Sequence, residues 1–265
     1  MAICEMHLGS GTALQKMTAF TAIVPEHVPG PWATLYLLHG LSDDHTAWTR
    51  RTSLERYAEG LPLLIVMPNG ERGWYTDSIS QPAHAFETYL TRDLMGFVDS
   101  TFHTRGVSAA RAVAGLSMGG YGAVKLALGH PDLFCAGVSH SGALEIAARL
   151  WEDDNARSNE LRSIFGANPQ GGDNDTYALA ERADVNMRPA LRLDCGVDDF
   201  LIEDNRRFHA HLKRIGYPHE YAEHAGAHDW AYWNFRILDT LKFAGQHLGF
   251  NFRPEDHIYP EGVGG

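Results

Sequence analysis

The stretch Gly115-Leu116-Ser117-Met118-Gly119 constrains this chain more than any other, because of what stands on either side of it. An apolar run, Ala112-Val113-Ala114, leads in, and a helix-forming stretch at residues 122–128 leads out. A strand that turns directly into a helix needs a sharp bend, and glycines two residues either side of the serine allow it without a Cβ clash. The bend presents the serine hydroxyl at a helix N-terminus, where free N–H groups and the macrodipole favour an anion. A glycine-rich turn carrying an ordinary solvent serine would look the same locally. What separates the two is whether the rest of the chain supplies a base and an acid.

A serine hydroxyl becomes a nucleophile when a base takes its proton, and that base must be held in one tautomer by an acceptor. In a strand-turn-helix site of this kind both lie downstream, acid before histidine. The chain supplies them in that order, with Cys195-Gly196-Val197-Asp198-Asp199 followed by Gly226-Ala227-His228-Asp229-Trp230. His228 stands in a glycine-flanked loop before the final helix, from which a ring can reach Ser117; His224, in the same loop, is the second candidate. Several aspartates compete for the acid. Asp194 falls inside a strand and reads as a structural hydrogen-bonding group, Asp204 opens a helix, and Asp229 is too close along the chain to His228 to accept its ring proton. Asp198 and Asp199 are left, and the Gly-x-x-Asp spacing favours Asp199. The oxyanion donors are expected to be Met118 N–H and Leu41 N–H. Leu41 lies in the loop His39-Gly40-Leu41, where Gly40 permits close approach and His39 buttresses by hydrogen bonds.

Elsewhere short apolar runs alternate with helical patterns, the signature of a mostly parallel sheet covered by helices. Residues 20–24, 34–38, 63–67, 112–115, 134–139 and 191–195 each read as a short buried strand, and 218–222 as a weaker one. Phe86, Leu90, Leu94, Val98 and Phe102 predict one covering helix, Phe208, Leu212 and Ile215 another, and Trp233, Ile237, Leu241, Ala244 and Leu248 a last one. The length of 265 residues suits a single α/β domain, 1–265, with helices on both faces of the sheet. Residues 143–189 break the rhythm and are expected to form a small cap-like insertion over the site, or else a surface excursion without a role. Residues 251–265, polar with two prolines and three glycines, predict a loosely docked tail.

These residues resemble the esterase D group of α/β-hydrolases, which takes in tributyrin esterases, S-formylglutathione hydrolases and bacterial feruloyl or acetylxylan esterase domains. The likeness spans nearly the whole chain. It runs through His39-Gly40-Leu41 with Trp48, Met67-Pro68-Asn69-Gly70, Trp74-Tyr75-Thr76-Asp77 and Glu87-Thr88-Tyr89-Leu90, then residues 115–122, Ser141-Gly142, 195–201 and 226–233. The resemblance implies the α/β-hydrolase fold and a serine carboxylesterase that hydrolyses short-chain acyl esters through an acyl-enzyme. It also implies a triad of Ser117, Asp199 and His228, with Asp199 preferred to Asp198 because the group's acid follows its glycine by three residues. Gly40, Trp74 and Tyr75 would then lie by the substrate, with Asp77 also beside the acyl pocket. Leu116 and Tyr121 stand where formylglutathione hydrolases usually carry histidines, which points toward the tributyrin-esterase branch. S-formylglutathione and acetyl or feruloyl carbohydrate esters are the alternative substrates; an acyltransferase or a non-catalytic binding relative is more remote.

Other classes fit poorly. A net charge of −11 leaves no basic surface for nucleic acid. There is no H-E-x-x-H, His209 and His211 would point apart on a helix, and Gly226 disfavours a helix through His224 and His228, so no metal is expected. Phosphate-cradling glycine motifs do not occur, and acyl transfer needs no cofactor. Cys4, Cys135 and Cys195 read as free thiols, and the N-terminus shows neither a leader pattern nor a long apolar stretch. The expectation is a cytoplasmic enzyme of small-molecule esters with no membrane partner, its self-association left open.

Overall fold

A computed structural model describes residues 1–148 and 153–257. The strands are β1 (Ala2–Ser10), β2 (Lys16–Val24), β3 (Ala33–Leu38), β4 (Leu63–Pro68), β5 (Arg111–Leu116), β6 (Ala136–His140), β7 (Ala190–Gly196) and β8 (His219–His224). They form one eight-stranded sheet in the order β1-β2-β4-β3-β5-β6-β7-β8. β2 pairs antiparallel with β1 and β4, and every other pairing is parallel. Alternate residues of the central strands divide between two cores. Leu35, Leu37, Ile65 and Ala114 face one, and Tyr36, Leu38, Val66 and Val113 face the other. A strand covered on both sides reads as an unbroken apolar run, which is how these strands show in the sequence.

The helices are α1 (Ala47–Arg51), α2 (Leu54–Tyr57), α3 (Phe86–Thr88), α4 (Met95–Thr101), α5 (Met118–Gly129), α6 (Ala156–Phe165), α7 (Thr176–Arg182), α8 (Ile202–Arg214) and α9 (Trp230–Leu248). Trp48 of α1, Leu54 of α2 and Ile237 of α9 pack on one face, while Phe86 of α3, Val98 of α4, Val124 of α5 and Phe208 of α8 pack on the other. This is the α/β-hydrolase arrangement, with helices on both sides of a mixed sheet. A π-helical turn, Tyr89–Leu94, joins α3 to α4. It accounts for the strict four-residue spacing of Phe86, Leu90, Leu94 and Val98, all buried. On a pure α-helix of about 3.6 residues per turn such a stripe drifts round the axis, and the wider π turn winds it back.

The structure departs from the sequence reading at the N-terminus, where β1 was not expected. Cys4, Met6 and Leu8 are half-buried and Glu5, His7 and Gly9 exposed, so this edge strand alternates where the buried strands run continuously apolar. In the 143–189 segment, Leu161, Ile164 and Phe165 of α6 and Leu179 of α7 join the core cluster. Of the expected tail, Phe252 is buried and its ring stacks on His257 at 4.9 Å between centroids; residues 258–265 lie outside the described residues. No helix among the described residues is long and apolar enough to cross a membrane.

Strand register decides where the site falls. Leu38 lies opposite Gly115, Leu116 opposite His140, and His140 opposite Asp194. The C-terminal ends of β3, β5, β6 and β7 therefore finish side by side. The residues just beyond them emerge along one edge, the place where open α/β sheets hold ligands.

Candidate active site

Ser117 stands between β5 and α5 with φ 54° and ψ −113°, a backbone state that costs a non-glycine residue about 1–3 kcal/mol. Packing holds it there. A Cβ on Gly115 would come within 2.4 Å of the Gly119 carbonyl oxygen, and one on Gly119 within 2.5 Å of the Leu38 carbonyl oxygen. The two motif glycines thus serve the close approach of strand and helix backbones. The Ser117 N–H donates to His140 O at 2.9 Å, and the Ser117 carbonyl accepts from Tyr121 N at 3.0 Å and Ala143 N at 3.2 Å.

The side chains expected to work together are brought together. His228 Nε2 lies 3.0 Å from Ser117 Oγ, and His228 Nδ1 lies 2.8 and 3.0 Å from the two carboxylate oxygens of Asp199. With the Nδ1 proton donated to that carboxylate, Nε2 is left as the acceptor facing the hydroxyl. Asp199 is buried and also accepts the Leu201 N–H at 2.8 Å. Burial pushes its carboxyl upward, but the hydrogen bonds from His228 and Leu201 outweigh burial and hold it below its ordinary value. The competitors are occupied elsewhere. Asp198 is exposed, Asp204 pairs with Arg207 at 2.8 Å, and Asp229 caps α9 by accepting the Tyr232 N–H at 2.9 Å. His224 ends β8, where its carbonyl takes the Val197 N–H at 2.9 Å, and among the described residues it is the ring of His228 that bonds Ser117.

The loop after β3 is built from His39. Its buried ring donates from Nδ1 to Gly40 O at 2.8 Å and accepts the Gly70 N–H at Nε2, also at 2.8 Å. A ring accepting a backbone N–H must be neutral, and burial lowers the His39 pKa in the same direction. The Tyr75 hydroxyl donates to His39 O at 3.0 Å, and a Cβ on Gly40 would stand 3.6 Å from the Ser117 Cβ. This loop therefore runs against the serine. Met118 opens α5, so its N–H belongs to the first helical turn, whose amides have no acceptor within the helix.

A family model described as "Putative esterase" matches residues 11–244. The chain belongs to this esterase family. It is 28% identical over 262 residues to an acetyl esterase of Caldicellulosiruptor saccharolyticus, covering 92% of this chain and 98% of the relative. Among solved structures, the fluorophosphonate-binding serine hydrolase F of Staphylococcus aureus superposes with a TM-score of 0.82 at 32% identity, over 92% of this chain and 98% of that one. An S-formylglutathione hydrolase of Staphylococcus aureus gives a TM-score of 0.79 at 31% identity with the same coverage. The chain is a serine carboxylesterase of the α/β-hydrolase fold.

In the esterase, Ser117 and His228 open into a cavity of about 510 Å³ with Leu41, Trp74, Leu161 and Phe200 on its walls. Trp74 is one of the two adjacent aromatic residues singled out in the sequence, and it lines the cavity. Tyr75, expected beside it, is not among the lining residues: its ring is buried beneath Gly70 and Gly122 and its hydroxyl is spent on His39. The two adjacent residues both have positive φ, 53° and 51°, so the chain coils tightly and their rings part company. Gly40 shapes the loop and likewise does not line the cavity.

The insertion expected over the site supplies particular wall residues, and two further features escaped the sequence reading. Ala156, Arg157, Glu160 and Leu161 of α6 form part of the cavity wall, and Arg72 grips Glu160 with two bonds of 2.6 and 2.7 Å. Phe200 is 74% exposed, yet its ring centroid lies 4.4 Å from that of His228, and both line the cavity. Its signal was a bulky apolar residue directly after the acid in a polar turn. Last, Ser141, with φ 50°, and Trp233 meet beside the triad, where Trp233 Nε1 donates to Ser141 Oγ at 3.2 Å.

Proposed function

We propose that the esterase hydrolyses short-chain acyl esters through an acyl-enzyme on Ser117, with His228 as base and Asp199 as its orienter. The observation that carries this reading is the unbroken run Asp199–His228–Ser117 opening into one cavity. His228 Nε2 takes the Ser117 proton as Oγ attacks the ester carbonyl carbon, and the negative charge moves onto the carbonyl oxygen. Leu41 N–H and Met118 N–H hold that oxyanion. The tetrahedral intermediate collapses as His228 returns the proton to the departing alkoxide, leaving an acyl ester on Ser117. Water, deprotonated by the same ring, releases the carboxylic acid and restores the serine. Asp199 stays ionised throughout, and no cofactor or metal takes part.

Trp74, Leu161 and Phe200 bound the acyl group, and α6 makes the 143–189 segment a cap within the single domain, fastened by Arg72 to Glu160. Tyr75 and Gly40 act through the loop that carries Leu41. The acidic protein works on small esters in the cytoplasm, without nucleic-acid or membrane partners. A thioester substrate is the second reading, favoured by the likeness to an S-formylglutathione hydrolase and opposed by Leu116 and Tyr121. Hydrolysis of p-nitrophenyl esters from acetate to decanoate, alongside S-formylglutathione, separates the two. The expected result is fastest turnover at the short end, abolished in Ser117→Ala. Turnover confined to S-formylglutathione would overturn the ester assignment.

A further inference from the structure

A second Asp–His pair lies immediately behind the first. Asp194 of β7 and His140 of β6 are both fully buried, and His140 Nδ1 stands 2.9 Å from each Asp194 carboxylate oxygen. The far nitrogen, Nε2, lies 2.6 Å from Thr240 Oγ1 of α9, and the Tyr232 hydroxyl donates to Asp194 Oδ1 at 2.9 Å. The hydroxyl, imidazole and carboxylate have the connectivity of a catalytic triad, yet no atom of the pair reaches the cavity or solvent. Removing such groups from water costs more than their attraction returns unless every remaining lone pair and proton is satisfied, so a buried pair is weak evidence for stability as its purpose.

Each catalytic residue is bonded to this pair or reached from it through one or two residues. The His140 carbonyl accepts the Ser117 N–H and so holds the strained nucleophile turn. The Asp194 carbonyl accepts the Ser141 N–H at 2.7 Å, and the Ser141 hydroxyl in turn favours the charged form of Asp199. Tyr232, tied to Asp194, lies beneath the His228 loop, where a Cβ on Gly226 would strike its ring at 2.7 Å. Trp233, the next residue, meets His228 edge-on with centroids 5.0 Å apart. Three elements, β6, β7 and α9, thus converge on one buried pair, and the three catalytic side chains leave from beside its anchor points.

We propose that Asp194 and His140, fixed by Thr240 and Tyr232, are positioning residues that hold Ser117, Asp199 and His228 in mutual register during ester hydrolysis. The proposal rests on the triad reading above. A misplacement of about 1 Å in such a constellation costs up to about 100-fold in rate while leaving substrate binding nearly intact. Asp194→Asn keeps the shape and removes the charge. Tyr232→Phe and Thr240→Val each remove one bond from the pair and leave both its members in place.

The test measures kcat and KM on p-nitrophenyl acetate, and the second-order rate of fluorophosphonate labelling, for the three variants well below each one's Tm. Asp194→Asn is expected to lower kcat by about 10- to 100-fold with KM changed by less than about twofold, and the labelling rate is expected to fall in parallel. Tyr232→Phe and Thr240→Val should each lose a few-fold in kcat, again without a change in KM. If Asp194→Asn does not fold, the other two decide alone. Folded variants with lowered Tm but wild-type kcat and labelling would overturn the proposal, because a merely structural role moves stability alone. Wild-type turnover that survives Ser117→Ala would instead overturn the triad reading beneath it.

Discussion

Two Asp–His pairs leave the same end of β7, five residues apart, and their surroundings set them different tasks. Asp199 is buried but its partner His228 looks into the cavity, so the ring can exchange a proton with Ser117 and, through it, with substrate. Asp194 and His140 are joined at 2.9 Å to each carboxylate oxygen, close to the 2.8 and 3.0 Å of the outer pair, and have no outlet. On the proposed roles, like chemistry is divided between transfer and support. The comparison teaches that an Asp–His pair is recognised as catalytic by what the second ring nitrogen faces, a nucleophile at the cavity in one case and a buried threonine in the other.

The comparison breaks most visibly at the outer pair. Asp199→Asn should lower kcat by about 10³- to 10⁴-fold, because the amide no longer fixes the tautomer that leaves Nε2 free. Asp198→Asn, on the exposed neighbour, should stay within about twofold of wild type, and steady-state kinetics on p-nitrophenyl acetate checks both. An equal loss in the two variants would mean that the acid is misassigned.

Combining the pairs sharpens the division. If Asp194 acts through the triad, adding Asp194→Asn to Asp199→Asn should cost little beyond the larger single effect, since residues that work as a unit are non-additive. Full multiplication of the two losses would place Asp194 on an independent route. The oxyanion loop gives a smaller effect of its own. A Cβ on Gly40 meets Leu116 Cδ1 at 2.6 Å, the movable end of a side chain, so Gly40→Ala should fold and lose about 10-fold in kcat.

Stability carries the smallest signature. Asp194, like Asp199, is held below its ordinary carboxylate value: burial raises it, and the charge and hydrogen bond of His140 outweigh that. A depressed folded pKa contributes stability that is fully present above the unfolded value and is lost as pH falls through the folded one. Thermal melts from pH 7 down to about 3 should therefore lose less Tm in Asp194→Asn than in wild type, although the variant starts lower. Parallel curves would show that the Asp194 carboxyl titrates alike in the folded and unfolded states, against the depression. Glu87 supplies a reference outside both pairs: burial raises it, but Lys125 and His130 bring it down to about 2. Glu87→Gln should flatten the same acid limb.

What could be read from the sequence follows how local each feature is. Ser117 and its helix are dictated by the glycines at 115 and 119, which act on backbone within a few residues. His228 follows from a loop between the last strand and α9. Asp199 needed the spacing of a known group, because its advantage over Asp198 is burial, and adjacent residues in a turn differ in burial only once the fold exists. The Asp194–His140 pair joins residues 54 apart, and Arg72 joins Glu160 across 88, so neither leaves a periodic trace. Asp194 was nonetheless legible as a structural group from its place inside a strand, though its partner was not. Tyr75 shows the opposite failure, since adjacency to Trp74 suggested a shared role that two left-handed backbone states prevent.

In the proposed mechanism Ser117 is a nucleophile activated by His228 under the control of Asp199. Fluorophosphonate labelling followed by intact mass and peptide mapping tests it most directly. One adduct per chain is expected, located on Ser117, absent in Ser117→Ala and strongly slowed in Asp199→Asn. A Ser117→Ala protein that still labels and still turns over p-nitrophenyl acetate at the wild-type rate would contradict it.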